Sequence, residues 1–149
     1  MALTSKRKSL TSKLIARNTE AGYGILQTAK VIWRNTIDGS TGAVVPAYNV
    51  ELSDNTVIVG GTINSTTAVT STNACNITIG TTAGSTSNSI LTATAKGNFS
   101  SDALINAVPV FATPVKLTAK GNVNISFTDS GNVLGGVIEI TLYYYVARN

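Results

Sequence analysis

Histidine is absent from the 149 residues, which removes the commonest general base and the commonest metal ligand together. Cysteine occurs once, so no intramolecular disulfide can form; Cys75 sits in the alternating run Cys75, Ile77, Ile79 and reads as a small core residue rather than a nucleophile. Only 12% of residues are charged and mean hydropathy is +0.21. Even so, no apolar run approaches the ~18 residues a membrane-spanning helix needs, and no membrane partner is expected. The positively charged start lacks the apolar core of a signal peptide, so synthesis in a cytoplasm is expected. No Walker-type phosphate loop, G-x-S-x-G elbow, Cys/His metal pattern or GxGxxG helix start occurs. No cofactor, no metal and no enzymatic activity are expected.

The carboxylates point the same way. Asp38, Asp54 and Asp129 stand beside Gly, Asn or Ser, as turn residues do, while Glu51 and Glu139 fall on the polar phase of strands. Glu20 and Asp102 complete the set of seven, from which two could in principle serve acid/base chemistry. Four N-x-[ST] matches, at Asn64, Asn76, Asn98 and Asn124, are expected by chance in so Asn-, Ser- and Thr-rich a chain.

What the chain does contain is a basic leader and a β-patterned body. Residues 1–34 hold seven basic groups against Glu20 alone, net +6, while residues 35–149 hold four basic and six acidic groups, net −2. Residues 1–24 are too poor in apolar side chains to fold alone and read as an extended arm; residues 25–149 read as one domain. Lys6, Arg7, Lys8, Lys13 and Arg17 of the arm are candidate interface residues. Lysine and arginine suffice to neutralise phosphate, but stacking on single strands wants interleaved aromatics, and there are none. Contact with an acidic protein surface is therefore expected ahead of contact with nucleic acid.

In the body, Ile25, Ala29, Val31 and Trp33 fall on alternate positions, as do Tyr48, Val50 and Leu52 before an Asp54-Asn55 turn into 56–59, which reads as a hairpin ended by Gly60-Gly61. The passage 62–73 fits no element cleanly. Cys75 to Ile79 and Ile90 to Ala95 read as strands, Thr81 to Ser89 as an exposed loop, 96–98 as a turn and Asp102 to Asn106 as a single helical turn. Pro109 and Pro114 restrict the piece between them to an edge. The C-terminal third alternates most clearly: Val115, Leu117, Ala119; then Val123, Ile125, Phe127; then, after Gly135-Gly136, Ile138, Ile140, Leu142, Tyr144, Val146. These three runs read as an antiparallel meander, with Tyr143 and Tyr145 on the face opposite Ile140 and Leu142 as candidate interface residues. Eight or nine strand candidates at roughly 8–12 residue spacing indicate an all-β antiparallel sandwich or jelly roll with an extended N-terminal arm.

The succession NACNITIG (73–80), SILTATA (89–95), VKLTA (115–119), NVNISF (122–127) and GVIEITLYYY (136–145) resembles small β-sandwich virion proteins of tailed bacteriophages, above all capsid decoration or cement proteins. The resemblance covers roughly the second half of the chain. It implies a homo-oligomer, a trimer, seated on the capsid and bridging major capsid protein subunits, with no catalytic or metal-binding residues. A second expectation is a tail or fibre component, or a carbohydrate-binding sandwich contacting a host glycan through its Thr/Ser/Asn-rich loops. Sugar-binding platforms are usually aromatic, and Trp33 is the only tryptophan.

Overall fold

The computed structural model describes residues 24–83, 89–106, 115–128 and 133–148. They form two antiparallel sheets. The first has the order β1 (Gln27–Arg34), β9 (Val133–Val146), β3 (Thr56–Ser71), β6 (Ala103–Asn106), with β7 (Val115–Lys116) also paired to β3. The second has the order β2 (Ala43–Val44), β8 (Val123–Thr128), β4 (Asn76–Thr81), β5 (Leu91–Ala95). The only α-helix among the described residues is α1 (Asn35–Asp38), and a 3-10 turn spans Lys96–Asn98. The expected all-β sandwich is what forms.

Its core follows from period-two burial. Trp33, Ile58, Ile63, Ile138, Ile140 and Leu142 line the inner face of the first sheet, and Ile77, Ile79, Ile125 and Phe127 that of the second. Trp33 and Phe127 join the two layers, their ring centroids 4.8 Å apart. Such aromatic contact across sheets adds to the area each ring removes from water. Cys75 is buried in this core, as its alternation indicates.

Several expectations fail, each for a reason of pairing. The C-terminal strands make no meander: β7 pairs with β3, β8 with β2 and β4, and β9 with β1 and β3, so the chain changes sheet between β7 and β8 and again before β9. The Asp54-Asn55 turn exists, with Asn55 at φ 59° and the Thr56 N–H donating to Ser53 O at 3.3 Å. It closes no hairpin, because Tyr48 bridges Ile32 and Leu52 exchanges both backbone hydrogen bonds with Gly121.

Gly60-Gly61 does not end a strand; it lies inside β3, the 16-residue strand that also absorbs most of 62–73. The register shifts between Ile58 and Gly60, a bulge. Gly61 sits at φ +155°, where a Cβ would run into the Thr141 carbonyl oxygen, so only glycine fits. Gly135-Gly136 likewise lies within β9 rather than ahead of it. Ala103–Asn106 is strand β6 rather than the expected helical turn, held by β3 through Ser65↔Ala103 and Ile63↔Ile105. Thr81 and Ala83, expected in an exposed loop, are buried. Thr82 is exposed and Ser89 half-buried; residues 84–88 of that loop, the proline-bracketed piece, residues 129–132 and the leader 1–23 lie outside the described residues.

Candidate interaction surface

Three of the described carboxylates, Asp38, Glu51 and Glu139, tie the scaffold together. Asp38 accepts from two backbone N–H groups, Arg34 at 2.8 Å and Ala47 at 2.7 Å, and so fastens the stretch after β2 to the end of β1. Glu139 pairs with Lys30 at 3.0 Å and Glu51 with Lys120 at 3.5 Å, on the polar phases assigned from sequence. Among the described residues no three His, Cys, Asp or Glu side chains gather as a metal site would require. Trp33 is fully buried and its Nε1 donates to Gly39 O at 2.7 Å, so it offers no platform for a sugar ring.

What the molecule presents instead is surface, and it differs by sheet. On the outward phase of the second sheet, Thr78, Asn124 and Ser126 are buried. On the outward phase of the first sheet, Thr28, Lys30, Leu104 and Tyr143 are exposed, and Asn64, Glu139, Thr141 and Tyr145 are half-buried. Ile32, packed where the chain crosses at Tyr48, and Val57, flanked by Tyr145 and Lys116, are the buried exceptions.

Tyr143 and Tyr145 share this outward face, opposite Gly60 and Val57 of β3, while Tyr144 turns toward the core and donates its hydroxyl to Gln27 Oε1 at 3.1 Å. Lys6, Arg7, Lys8, Lys13 and Arg17 lie outside the described residues. Their point of attachment does not: the Gly24 N–H donates to Val146 O at 3.0 Å. The basic leader therefore joins the body beside Tyr145, at the same end of the same sheet.

A third component, the flank of β1, escapes a reading of the sequence alone. Ile25, Leu26, Ile37, Val45 and Tyr48 are all exposed, and all lie just before β1 or in the α1-to-Tyr48 stretch that folds over its far end. Alternation places Ile25 in the core, and it is instead 51% exposed. The only warning in the sequence is that Ile25 and Leu26 are consecutive, so one of them must point outward.

No protein-family model matches the chain, and a search of curated protein sequences gives no match. Solved structures do. The fold is similar to a chain in the acid-stable capsid of Helicobacter pylori bacteriophage KHP30 (TM-score 0.58, 11% identity, 85% of this chain and 91% of that one). It is also similar to a chain of the capsid asymmetric unit of cyanophage Pam1 (0.56, 18%, 83% and 86%). A chain in the capsid of Ralstonia phage GP4 has the same fold (0.54, 12%, 85% and 88%).

Proposed function

We propose that this protein is a structural component of a bacteriophage virion that decorates the capsid and cements its lattice by bridging major capsid protein subunits, without catalytic chemistry of its own. The observation that carries the reading is the fold shared with chains of three phage capsids over most of both partners' length. Because the match nearly exhausts both chains, the likeness is to capsid components of similar size rather than to one domain of a larger shell protein.

Docking runs through the first sheet. Tyrosines are favoured at protein interfaces because a large apolar ring carries a polar tip, and Tyr143 and Tyr145 stand on the more open of the two outward faces. The leader, residues 1–23, holds five basic groups against Glu20, net +4; it ends beside them and adds attraction to an acidic groove on the shell. The two act together because Gly24 is tied to Val146.

The test is to add purified full-length protein, and a chain lacking residues 1–20, to empty shells and to duplex DNA at two salt concentrations. Full-length protein should bind shells to a fixed stoichiometry, more weakly at high salt, because exposed charges are screened over about 8–10 Å. The truncated chain should keep its thermal midpoint and bind residually through the β body. Failure of the full-length protein to bind shells, or steep salt-dependent binding to DNA in its place, would contradict the reading.

A further inference from the structure

Cross-strand pairing on the outward face of the first sheet gathers residues that lie far apart in the chain. Tyr145 of β9 stands opposite Val57 of β3, and Val57 in turn stands opposite Lys116 of β7. The three form one row across three strands, and with neighbouring strands about 4.8 Å apart Lys116 lies about 10 Å from Tyr145. In the next row Tyr143 stands opposite Gly60, which brings no side chain. Apart from its chain neighbours, a Cβ at Gly60 would meet no atom of the described residues within 4 Å. The two rows therefore enclose a shallow notch. Buried Val57 and bare Gly60 form its floor, Tyr143 and Tyr145 one wall, and exposed Lys116 the other.

The notch is apolar below and cationic at its rim. Glu139, on the same outward phase but two rows away, is held by Lys30 at 3.0 Å. Lys116 has no ion-pair partner among the described residues. A glutamate or aspartate from a partner meets both features: its stem lies over Val57 beside the tyrosine rings, and its carboxylate accepts from the Lys116 ammonium and a tyrosine hydroxyl, charge-assisted bonds stronger than neutral ones. Other occupants fit worse. The leader, net +4 over residues 1–23, and a second copy presenting the same row would each set cation against cation. Duplex DNA carries a phosphate every ~1.7 Å of its axis, against one lysine here.

We propose that this notch receives an acidic side chain from an exposed segment of the major capsid protein, and that Lys116 is the residue that selects it. The identity of the partner rests on the capsid reading; the charge of the occupant rests on the notch alone. Tyr143 and Tyr145 supply contact area, and Lys116 supplies the preference for an acid. The leader meets the same acidic surroundings from the other side of Tyr145, where Gly24 is tied to Val146.

Two measurements separate the notch from the partner. Oligoglutamate, with oligolysine of equal length as control, is titrated into the full-length protein and followed by backbone amide chemical shifts. The Val57, Gly60, Lys116 and Tyr145 amides should move with oligoglutamate only, and should stay still in Lys116→Glu. Shell binding is then compared for wild type, Lys116→Glu and Lys120→Glu, two variants that change net charge equally at exposed sites and should leave circular dichroism unchanged. Lys116→Glu should bind at least about tenfold more weakly. Lys120→Glu, whose exposed pair with Glu51 contributes little, should stay within about twofold of wild type. Unmoved notch amides, the same amides moved by duplex DNA in place of oligoglutamate, or equal losses in the two variants would overturn the proposal. Oligoglutamate binding at the notch of a protein that ignores shells would uphold its acidic occupant and contradict the capsid reading.

Discussion

The two sheets share one core and differ in everything outside it. In the first, β3 and β9 pair from Thr56↔Val146 to Ser71↔Val133, and Gly61, just past the register shift between Ile58 and Gly60, accommodates only glycine. In the second, no strand exceeds six residues, and the outward phase of β4 and β8 is buried, with Asn124 Oδ1 and Ser126 Oγ finding no hydrogen-bond partner among the described residues. One sheet is a long platform with an accessible outward face; the other buries its outward phase at Thr78, Asn124 and Ser126 and exposes it at Thr128.

The comparison breaks first if the inner faces are not equivalent. Ile125 of the second sheet and Ile140 of the first are both fully buried, so Ile125→Ala and Ile140→Ala should each cost roughly 2–5 kcal/mol in chemical denaturation, while Thr118→Ala, at an exposed site, should cost almost nothing. A large cost at one isoleucine only would mean that the core belongs to one sheet. The outward faces are distinguished by matched lysines. Ser126→Lys places an ammonium on the closed face, where burying an unpaired charge costs at least about 2 kcal/mol. Thr62→Lys, half-buried on the more open face, should stay within about 0.5 kcal/mol of wild type. Equal effects would erase the contrast. Gly61→Ala tests the close approach of β3 to β9: a positive-φ position and a blocked Cβ together predict a loss of about 1–3 kcal/mol, read as a lowered melting temperature. A neutral result would show that the Thr141 carbonyl yields to a side chain at position 61.

Period two makes β1, β4, β5, β8 and β9 legible in the sequence alone, because inward residues such as Val31, Ile79, Ile125 and Ile140 recur on one side of each strand. It does not reveal partners. Alternation specifies which face of a strand is buried, not which strand lies beside it, and β9 finds its neighbours at 27–34 and 56–71 rather than at 123–128. The adjacent runs 115–119 and 122–127 therefore suggest a meander that the fold divides between two sheets. Gly60-Gly61 misleads for a related reason, since glycine serves a bulge and a turn equally well. At the surface, Tyr143 and Tyr145 are legible from phase alone. Their junction with Val57 and Lys116 is not, because it depends on which strand lies beside them.

Docking through the first sheet is tested most directly by counting copies bound per empty capsid shell. Wild type, a Tyr143→Ser, Tyr145→Ser double variant and Thr128→Ala, an exposed outward position on the second sheet, would be co-sedimented with shells over a range of concentrations. Aromatic side chains at the centre of an interface commonly contribute more than 1 kcal/mol each. The double variant should thus bind at least about tenfold more weakly while remaining folded, and Thr128→Ala should bind like wild type. Full binding by the tyrosine variant, loss of binding by Thr128→Ala, or no binding by any of the three would contradict it.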